Sequence, residues 1–417
     1  MIYLLICVVA SLNNFTDEYV LLAFKAQITS DPTKILAKNW SQGSSFCNWI
    51  GITCGTRHRR VRGLNLANMG LGGSIPNEIG LLPTLQQLDL SRNDFTGRIP
   101  NGIGNISALT YLDLSTNGFN GNIPQELGQI TSLEVLNLSI NMLEGEITES
   151  IFNLSMLQRL SFLSNSISGN LPPSMANGLP NLGRLFLYSN RLSGEIPGSI
   201  SNFSKLTLLD LGNNSFSGRV PMNLGNLKNL QVLALSRKQL TNDPSMLELD
   251  FLISLTNCRQ LKEIQIGYNN FDRMLPKALG NLSASLEIFL ANSCGIRGMI
   301  PCEIGNMSNV IWLEMGRNNL TGTFPDTLSR LRKLQNLGLD ENKLQGYIPD
   351  NLCNLINLFL IDLRNNKFSQ QLPACLGNLT SIREFHLAYN SLMISTILYL
   401  SRLTKRDDYE YSYLFSV

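Results

Sequence analysis

A repeat of about 24 residues runs through most of this 417-residue chain and constrains its fold more than any other feature. The segments LDLSRNDFTGRIP (88–100), LDLSTNGFNGNIP (112–124) and LDLGNNSFSGRVP (209–221) are near copies of one another. They follow the template LxxLxLxxNxLxGxIP, completed by about eight further residues. A unit of this length cannot bury its own apolar side, so successive coils must stack on one another.

This template is the leucine-rich repeat, and it assigns a role to each position. Leu88, Leu90 and Phe95 and their equivalents are expected to point inward, and the LxL segment to form a short strand that pairs with the coils on either side. The asparagine, as at Asn93, is expected to hydrogen-bond buried backbone groups. The repeated glycine, as at Gly97, permits a positive φ. About fourteen repeats over residues 62–397 therefore predict a right-handed α/β leucine-rich-repeat solenoid, a superhelical horseshoe.

Departures from the template mark particular coils. Lys238 and Cys294 stand where asparagine is expected, and Cys294 is expected to be a buried structural thiol. The step from position 242 to position 273 is longer than 24 residues. The segment 242–258 is therefore predicted to carry an insertion that bulges on the convex or lateral side.

The segment before the repeats is predicted to contain a signal peptide and a cap. Residues 1–10 include an apolar run of signal-peptide length, although no basic residue precedes it, and a buried strand is the alternative. Residues 11–61 are predicted to cap the first coil. Their stretch TDEYVLLAFKAQI is expected to be a helix with Thr16 as N-cap and with Leu21, Phe24 and Ile28 on one face.

The cap and the GxIP repeats together resemble the extracellular part of plant leucine-rich-repeat receptor kinases and receptor-like proteins. The resemblance rests on the segments CNWIGITC (47–54), SLTNCRQL (254–261) and LPACLGNLTSIRE (372–384). In the first of these, Cys47 and Cys54 are expected to form a disulfide. The resemblance is strongest to the subfamily with immune receptors and covers about residues 16–395. It implies an extracellular peptide or protein ligand and a short leucine-rich-repeat co-receptor kinase as partners, in defence or developmental signalling.

Family members continue into a transmembrane helix and a Ser/Thr kinase, and this sequence contains neither a kinase motif nor an 18-residue apolar stretch. Residues 398–417 are expected to form an irregular tail. The chain is therefore interpreted as a receptor truncated before its membrane and kinase regions, and not as an enzyme. A gene-model error, a splice form and a degenerate paralogue all remain open. The expected location is the apoplast, or the cell surface for a longer form.

Charge and composition argue against several other functions. The net charge is +2, which gives no electrostatic reason to expect nucleic-acid binding. Only two histidines occur, and the eight cysteines are scattered, so no metal or cofactor is expected. The basic run RHRRVR (57–62) is interpreted as a solvated loop, with an anionic polysaccharide or phosphate as the alternative ligand.

Candidate ligand-binding residues are the aromatic and charged side chains predicted to face outward from the concave strands, since such residues are common at binding hot spots. They are Arg159, Arg184, Phe186, Tyr188, Tyr268, Trp312, Glu314, Arg317, Glu384 and His386, with Tyr389 beside the last two. The alternative reading is that many of them contact nothing.

Modification sites are predicted from spacing. The N-glycosylation sequons are at Asn14, Asn39, Asn105, Asn137, Asn153, Asn202, Asn213, Asn281, Asn306, Asn319 and Asn378. Cys353 and Cys375 fall in adjacent coils at nearly matching depth, which would allow a bridge.

The function expected from all of this is extracellular ligand recognition on the concave face. Two alternatives are a secreted leucine-rich-repeat inhibitor of microbial cell-wall-degrading enzymes and a non-functional receptor fragment.

Overall fold

The computed structural model describes residues 16–41 and 43–393. The predicted signal peptide, Asn14 and the predicted tail lie outside these residues. The chain divides between Leu206 and Thr207 into two compact units, each of which is a stack of repeats.

The first unit begins with the cap. Its helix spans residues 16–26, followed by a strand at Ile28–Ser30, a second helix at Ile35–Asn39, a 3-10 helix at Phe46–Asn48 and a strand at Ile52–Cys54. Both strands pair antiparallel with the first repeat, with Ile28–Ser30 against Gly72–Gly73 and Ile52–Cys54 against Val61–Asn65. The cap thus covers both strand edges of the first coil.

The sequence placed the end of the first helix wrongly. Leu21 and Phe24 are fully buried on the helix as expected, but Ile28 belongs to the strand that follows. The helix stops because Gln27 turns back to bond the carbonyl of Phe24 at 3.1 Å. Gly73 has a φ of 147°, and a Cβ there would lie 2.2 Å from the carbonyl oxygen of Gln27, so only glycine fits at this contact.

A buried ion pair fixes the cap to the first repeat. Asp17 is fully buried, and its carboxylate accepts hydrogen bonds from Arg60 at 2.7 and 2.8 Å and from the backbone N–H of Val61 at 2.9 Å. Arg60 is therefore not part of the solvated loop that the run RHRRVR predicts. Such a pair is costly to break because the remaining partner stays buried and uncompensated.

Most repeats contribute a short inner strand, an outer strand and a helical turn. In the first unit the inner strands of the repeats are Val61–Asn65, Gln87–Asp89, Tyr111–Asp113, Val135–Asn137, Arg159–Ser161 and Arg184–Phe186. The outer strands are Gly72–Gly73, Asp94–Arg98, Gly118–Asn122, Met142–Glu146, Ser166–Asn170 and Arg191–Glu195. The helices are the 3-10 turns Asn77–Leu81, Asn101–Asn105, Gln125–Gln129, Glu149–Asn153 and Gly198–Asn202 and the α-helix Met175–Gly178.

The second unit repeats this plan. Its inner strands are Leu208–Asp210, Val232–Ala234, Glu263–Gln265, Ile288–Leu290, Trp312–Glu314, Asn336–Gly338, Leu360–Asp362 and Glu384–His386. Its outer strands are Ser215–Arg219, Gln239–Thr241, Arg297–Met299, Asn319–Thr321, Gln345–Gly346, Lys367–Gln370 and Ser391–Leu392. The 3-10 turns are Leu224–Asn226, Lys277–Asn281, Cys302–Asn306, Asp326–Arg330, Asp350–Asn354 and Ala374–Asn378.

Inner strands pair in parallel with equivalent positions opposite each other. Leu88 pairs with Leu64 and Leu112, and Leu313 pairs with Phe289 and Leu337. These apolar side chains are fully buried, so the core of each unit is a column of repeat leucines. The predicted solenoid of leucine-rich repeats is confirmed.

The repeat asparagines form hydrogen-bonded ladders inside the coils. In the second unit, the Oδ1 of Asn318 accepts from the N–H groups of Cys294 and Ile296 at 3.0 and 2.9 Å. Its Nδ2 donates to the carbonyls of Ala291 and Met315 at 2.8 and 2.9 Å. One side chain thus satisfies four buried backbone groups that the short strands leave unpaired.

Two coils of the second unit lack this amide. The thiol of Cys294 is buried and donates to the carbonyl of Ile266 at 3.1 Å, and burial raises its pKa to about 12. The amine of Lys238 is buried without a hydrogen-bond partner and lies 4.4 Å from the centre of the Phe216 ring. Burial lowers the pKa of Lys238 well below its usual value.

The insertion folds as a helix. Residues Asp250–Leu255 form an α-helix in place of the usual 3-10 turn, and it contacts the turns Leu224–Asn226 and Lys277–Asn281. Phe251, Leu252 and Leu255 are fully buried. The apolar side chains of this helix therefore pack in the core on the helical side of the coil, while residues 244–247 before it are exposed.

Candidate ligand-binding face

The inner strands present one continuous surface in each unit, here called the sheet face. It consists of the side chains on either side of the buried strand leucine, because successive residues of a strand point to opposite sides. In the strand Trp312–Glu314, Leu313 is fully buried while Trp312 is 40% exposed. The sequence-predicted concave residues all lie on this surface or directly after its strands.

In the first unit the structure brings Arg159 and Phe186 together. They lie on adjacent strands, in which Arg159 pairs with Arg184, and the guanidinium carbon of Arg159 is 5.3 Å from the centre of the Phe186 ring. Arg184 is exposed and Tyr188 is half-buried. The Nε of Arg159 is buried without a hydrogen-bond partner, so the guanidinium is only partly satisfied within the protein.

In the second unit Trp312 and Glu314 form the most organised pair. The indole Nε1 of Trp312 donates to Oε1 of Glu314 at 2.8 Å, which fixes the exposed ring beside a half-buried carboxylate. Arg317, three residues further along, pairs with Glu341 at 3.2 Å.

The other predicted residues of this unit stand apart. Tyr268 lies two strands before Trp312 and stacks under Arg237, whose guanidinium carbon is 5.1 Å from the ring centre. Glu384 and His386 lie three strands beyond Trp312 and contact each other at 3.4 Å. Tyr389 is 60% exposed. The predicted residues therefore form separate groups along the sheet face, and not one pocket.

Sequence reasoning missed a group of carboxylates around Glu314. A Cβ at Gly338 would lie 1.9 Å from Oε2 of Glu314, and one at Gly316 would lie 2.1 Å from Oδ1 of Asp340. The two carboxylates therefore lean over neighbouring glycines towards each other's strand. Asp362 lies one strand further and pairs with Arg364 at 2.5 Å.

These carboxylates are held in a partly desolvated environment. Burial raises the pKa of Glu314, and Asp340 and Asp362 raise it further, while the hydrogen bond from Trp312 opposes the shift. Burial also raises the pKa of Asp340, with Asp362 as the next cause. A positively charged ligand group would relieve this repulsion. This group of carboxylates could have been found in the sequence by aligning the residues that follow the strand leucines of consecutive repeats.

Tyr111 is a further sheet-face residue that the sequence analysis missed. Its hydroxyl donates to Asp113 at 3.3 Å. Burial, followed by the charges of Asp113 and Asp89, raises the pKa of Tyr111 to about 12, so it stays a neutral donor.

Both expected cysteine pairs are bonded in the structure. Cys47 and Cys54 form a disulfide with their Cα atoms 5.5 Å apart, and Cys353 and Cys375 form another with a Cα separation of 6.0 Å. Cys258 and Cys294 are buried free thiols, and Cys302 is an exposed one. Within residues 16–41 and 43–393, no cluster of three metal-ligating side chains and no helix suited to crossing a membrane occurs.

Family models match both the N-terminal cap and the repeats of the chain. Residues 15–55 match the leucine rich repeat N-terminal domain. Six segments match the leucine rich repeat, at residues 84–106, 108–130, 181–203, 205–227, 333–355 and 357–379. The chain is a leucine-rich-repeat protein.

Its sequence relatives are plant receptor kinases. The LRR receptor-like serine/threonine-protein kinase EFR of Arabidopsis thaliana is 43% identical over 86 residues, which are 21% of this chain and 8% of the kinase. The receptor kinase-like protein Xa21 of Oryza sativa subsp. japonica is 37% identical over 83 residues, which are 20% of this chain and 8% of that protein. The matched segments therefore span less than a tenth of either kinase.

Solved structures of plant receptors match over most of the leucine-rich-repeat chain. The crystal structure of PEPR1–AtPEP1 superimposes with a TM-score of 0.81 and 34% identity, covering 90% of this chain and 52% of that one. The plant peptide hormone receptor RGFR1 in complex with RGF2 superimposes with a TM-score of 0.66 and 27% identity, covering 79% of this chain and 59% of that one.

Proposed function

We propose that this leucine-rich-repeat protein is the recognition module of a plant receptor and binds an extracellular peptide or protein on its sheet face. The observation that carries the proposal is the exposed Trp312 ring, fixed by a 2.8 Å hydrogen bond beside the half-buried carboxylate of Glu314. A rigid aromatic ring beside a partly desolvated charge is the chemistry of a binding hot spot.

The comparisons support this role. RGFR1, a plant peptide hormone receptor, has the same fold over 79% of this chain. A role in defence or developmental signalling is the finer part of the proposal. It rests on the sequence resemblance to plant receptor kinases, since the matches to EFR and Xa21 cover only 86 and 83 residues. A co-receptor kinase as partner and an apoplastic or cell-surface location are proposed with it, and the two disulfides are those of an oxidising compartment.

The ligand chemistry follows from the charges on the second unit. Asp340 and Asp362 act electrostatically on Glu314, the carboxylate that holds Trp312, and of these three carboxylates only Asp362 forms a salt bridge with an arginine. A lysine or arginine of the ligand that reached the indole would gain both a cation–π contact and a carboxylate pair. The proposed ligand is therefore an extended peptide segment with at least one basic side chain.

A binding screen with variants tests this function. The secreted protein is titrated with a synthetic pool of extended peptides that contain arginine or lysine and with a matched pool in which glutamine replaces them. Trp312→Ala and Glu314→Gln are expected to weaken the best binder by about tenfold or more, since a hot-spot residue contributes about 2 kcal/mol. Tyr347→Ala is the matched control, because this aromatic ring is 52% exposed after an outer strand.

Preference for the basic pool and loss of binding in only the two sheet-face variants would support the proposal. Equal binding of both pools, or equal loss in Tyr347→Ala, would refute the proposed site.

A further inference from the structure

Six of the sequon asparagines occupy one structural position of the repeat. Each is the last residue of a 3-10 turn and each is exposed. They are Asn105, Asn153 and Asn202 in the first unit and Asn281, Asn306 and Asn378 in the second.

The local fold explains why these side chains are accessible. In each case the middle residue of the sequon turns inward: Ile106, Leu154 and Leu379, for example, are nearly or fully buried. The asparagine before it closes the turn and points to solvent on the helical side of the coil. A glycan at this position therefore meets no packed neighbour within its own coil.

The sequon on an inner strand has the opposite environment. Asn137 is 8% exposed, and its Nδ2 donates to Oδ2 of Asp113 at 2.8 Å in a buried contact. A sugar bonded to this nitrogen would place a bulky polar group inside the sheet face, beside the buried contact with Asp113.

We infer that the six turn asparagines carry N-linked oligosaccharides in the mature protein, while Asn137, on an inner strand of the sheet face, stays unmodified. The inference rests on the proposed extracellular role, because modification requires passage through the secretory pathway. In the reaction, the asparagine Nδ2 bonds to the first sugar carbon of a lipid-pyrophosphate-linked oligosaccharide. The bond from that carbon to the pyrophosphate oxygen breaks, the nitrogen loses one proton, and the lipid pyrophosphate leaves.

Glycopeptide mapping tests the inference without any ligand. The full chain is expressed in plant cells behind a heterologous secretion leader, so that the test does not depend on the native leader. Secreted monomer is treated with a glycosidase that converts each occupied asparagine to aspartate in ¹⁸O-labelled water, and peptides are measured by mass spectrometry. Label is expected at the six turn positions and is expected to be absent from Asn137.

Two variants test the turn position directly, one by adding a sequon there and one by removing it. Asn354 also ends a 3-10 turn and is exposed but lacks a sequon, so Ile356→Thr, at a residue 65% exposed, creates one. This variant is expected to gain one glycan, and Thr380→Ala is expected to lose the one at Asn378.

Label at Asn137 in folded secreted monomer, or none at most turn positions, would overturn the inference. Failure of the proposed function would be seen differently, as a correctly glycosylated protein that binds no member of either peptide pool.

Discussion

Replacing Lys238 by asparagine is expected to stabilise the second unit. Lys238 is only 8% exposed, and its amine has no hydrogen-bond partner. The asparagine of the next coil shows what is missing: Asn269 accepts from the N–H of Leu240 at 3.2 Å and donates to the carbonyls of Leu235 and Ile266 at 2.8 Å. By register, an asparagine at position 238 would reach the equivalent backbone groups of its own coil and of the preceding one.

The expected magnitude follows from three contributions. Removing an unsatisfied buried donor is worth about 1–3 kcal/mol, and each restored hydrogen bond adds about 1 kcal/mol. Losing three buried methylene groups of the lysine opposes this by about 2 kcal/mol. The net gain in unfolding free energy is about 2–4 kcal/mol, which raises the melting temperature by roughly 4–16 °C for a unit of about 200 residues.

The pH dependence identifies the cause. Burial lowers the pKa of Lys238 in the folded state, so the folded protein favours the neutral amine. The wild-type protein is therefore most stable above the unfolded pKa of about 10.5. It loses stability as the pH falls from there through the folded pKa. The advantage of Lys238→Asn should therefore be larger at neutral pH than at about pH 10.5. Acid pH is avoided, because burial raises the pKa of the neighbouring Asp210, which would titrate there as well.

Differential scanning calorimetry at neutral and alkaline pH measures both effects. Lys333→Asn, at an exposed lysine, is the matched control and should change the melting temperature little at either pH. A lower melting temperature for Lys238→Asn, or an advantage that does not change with pH, would refute this account of the buried amine.

Three other substitutions test separate parts of the structure. Ile140→Asn should stabilise the first unit by about 1 kcal/mol, because Ile140 has a φ of 56° that a β-branched residue adopts only with strain. A thermal melt measures this gain. The same change at Ile356, which has no positive φ, should not stabilise the protein. Asp17→Ala should cost about 3–5 kcal/mol by leaving Arg60 unpaired, seen as faster proteolysis of the cap, and an unchanged cleavage rate would contradict the buried pair. Cys353→Ser should lower the melting temperature of the second unit through loss of about 2–4 kcal/mol, whereas Cys302→Ser should not.

The repeat architecture could be predicted from the sequence because each template position has one physical role. Leucines such as Leu88 recur at the spacing of one coil, and the buried amide of Asn318 has no substitute that bonds four backbone groups. The departures at Lys238 and Cys294 were visible for the same reason. Their effects on the coil could be seen only in the structure. The amine of Lys238 has no hydrogen-bond partner, whereas the thiol of Cys294 donates a hydrogen bond.

Features that depend on contacts between coils were not predicted. The residue before each repeat asparagine has a positive φ, as at Thr116 and Tyr268, although no glycine marks this position. The strand at Ile28 was missed because its pairing partner lies more than forty residues away. The carboxylates of Glu314 and Asp340 approach each other only because Gly316 and Gly338 leave room across adjacent strands.

The most direct test of ligand recognition on the sheet face is site-specific photocrosslinking. A benzophenone side chain is placed at Phe359, which is 46% exposed directly before the strand Leu360–Asp362, or at Tyr347 after an outer strand. Each protein is irradiated with the tightest-binding peptide from the basic pool. The account predicts a covalent adduct at position 359 that excess unlabelled peptide suppresses, and none at position 347. An adduct at position 347 alone, or equal yields that competition does not reduce, would contradict it.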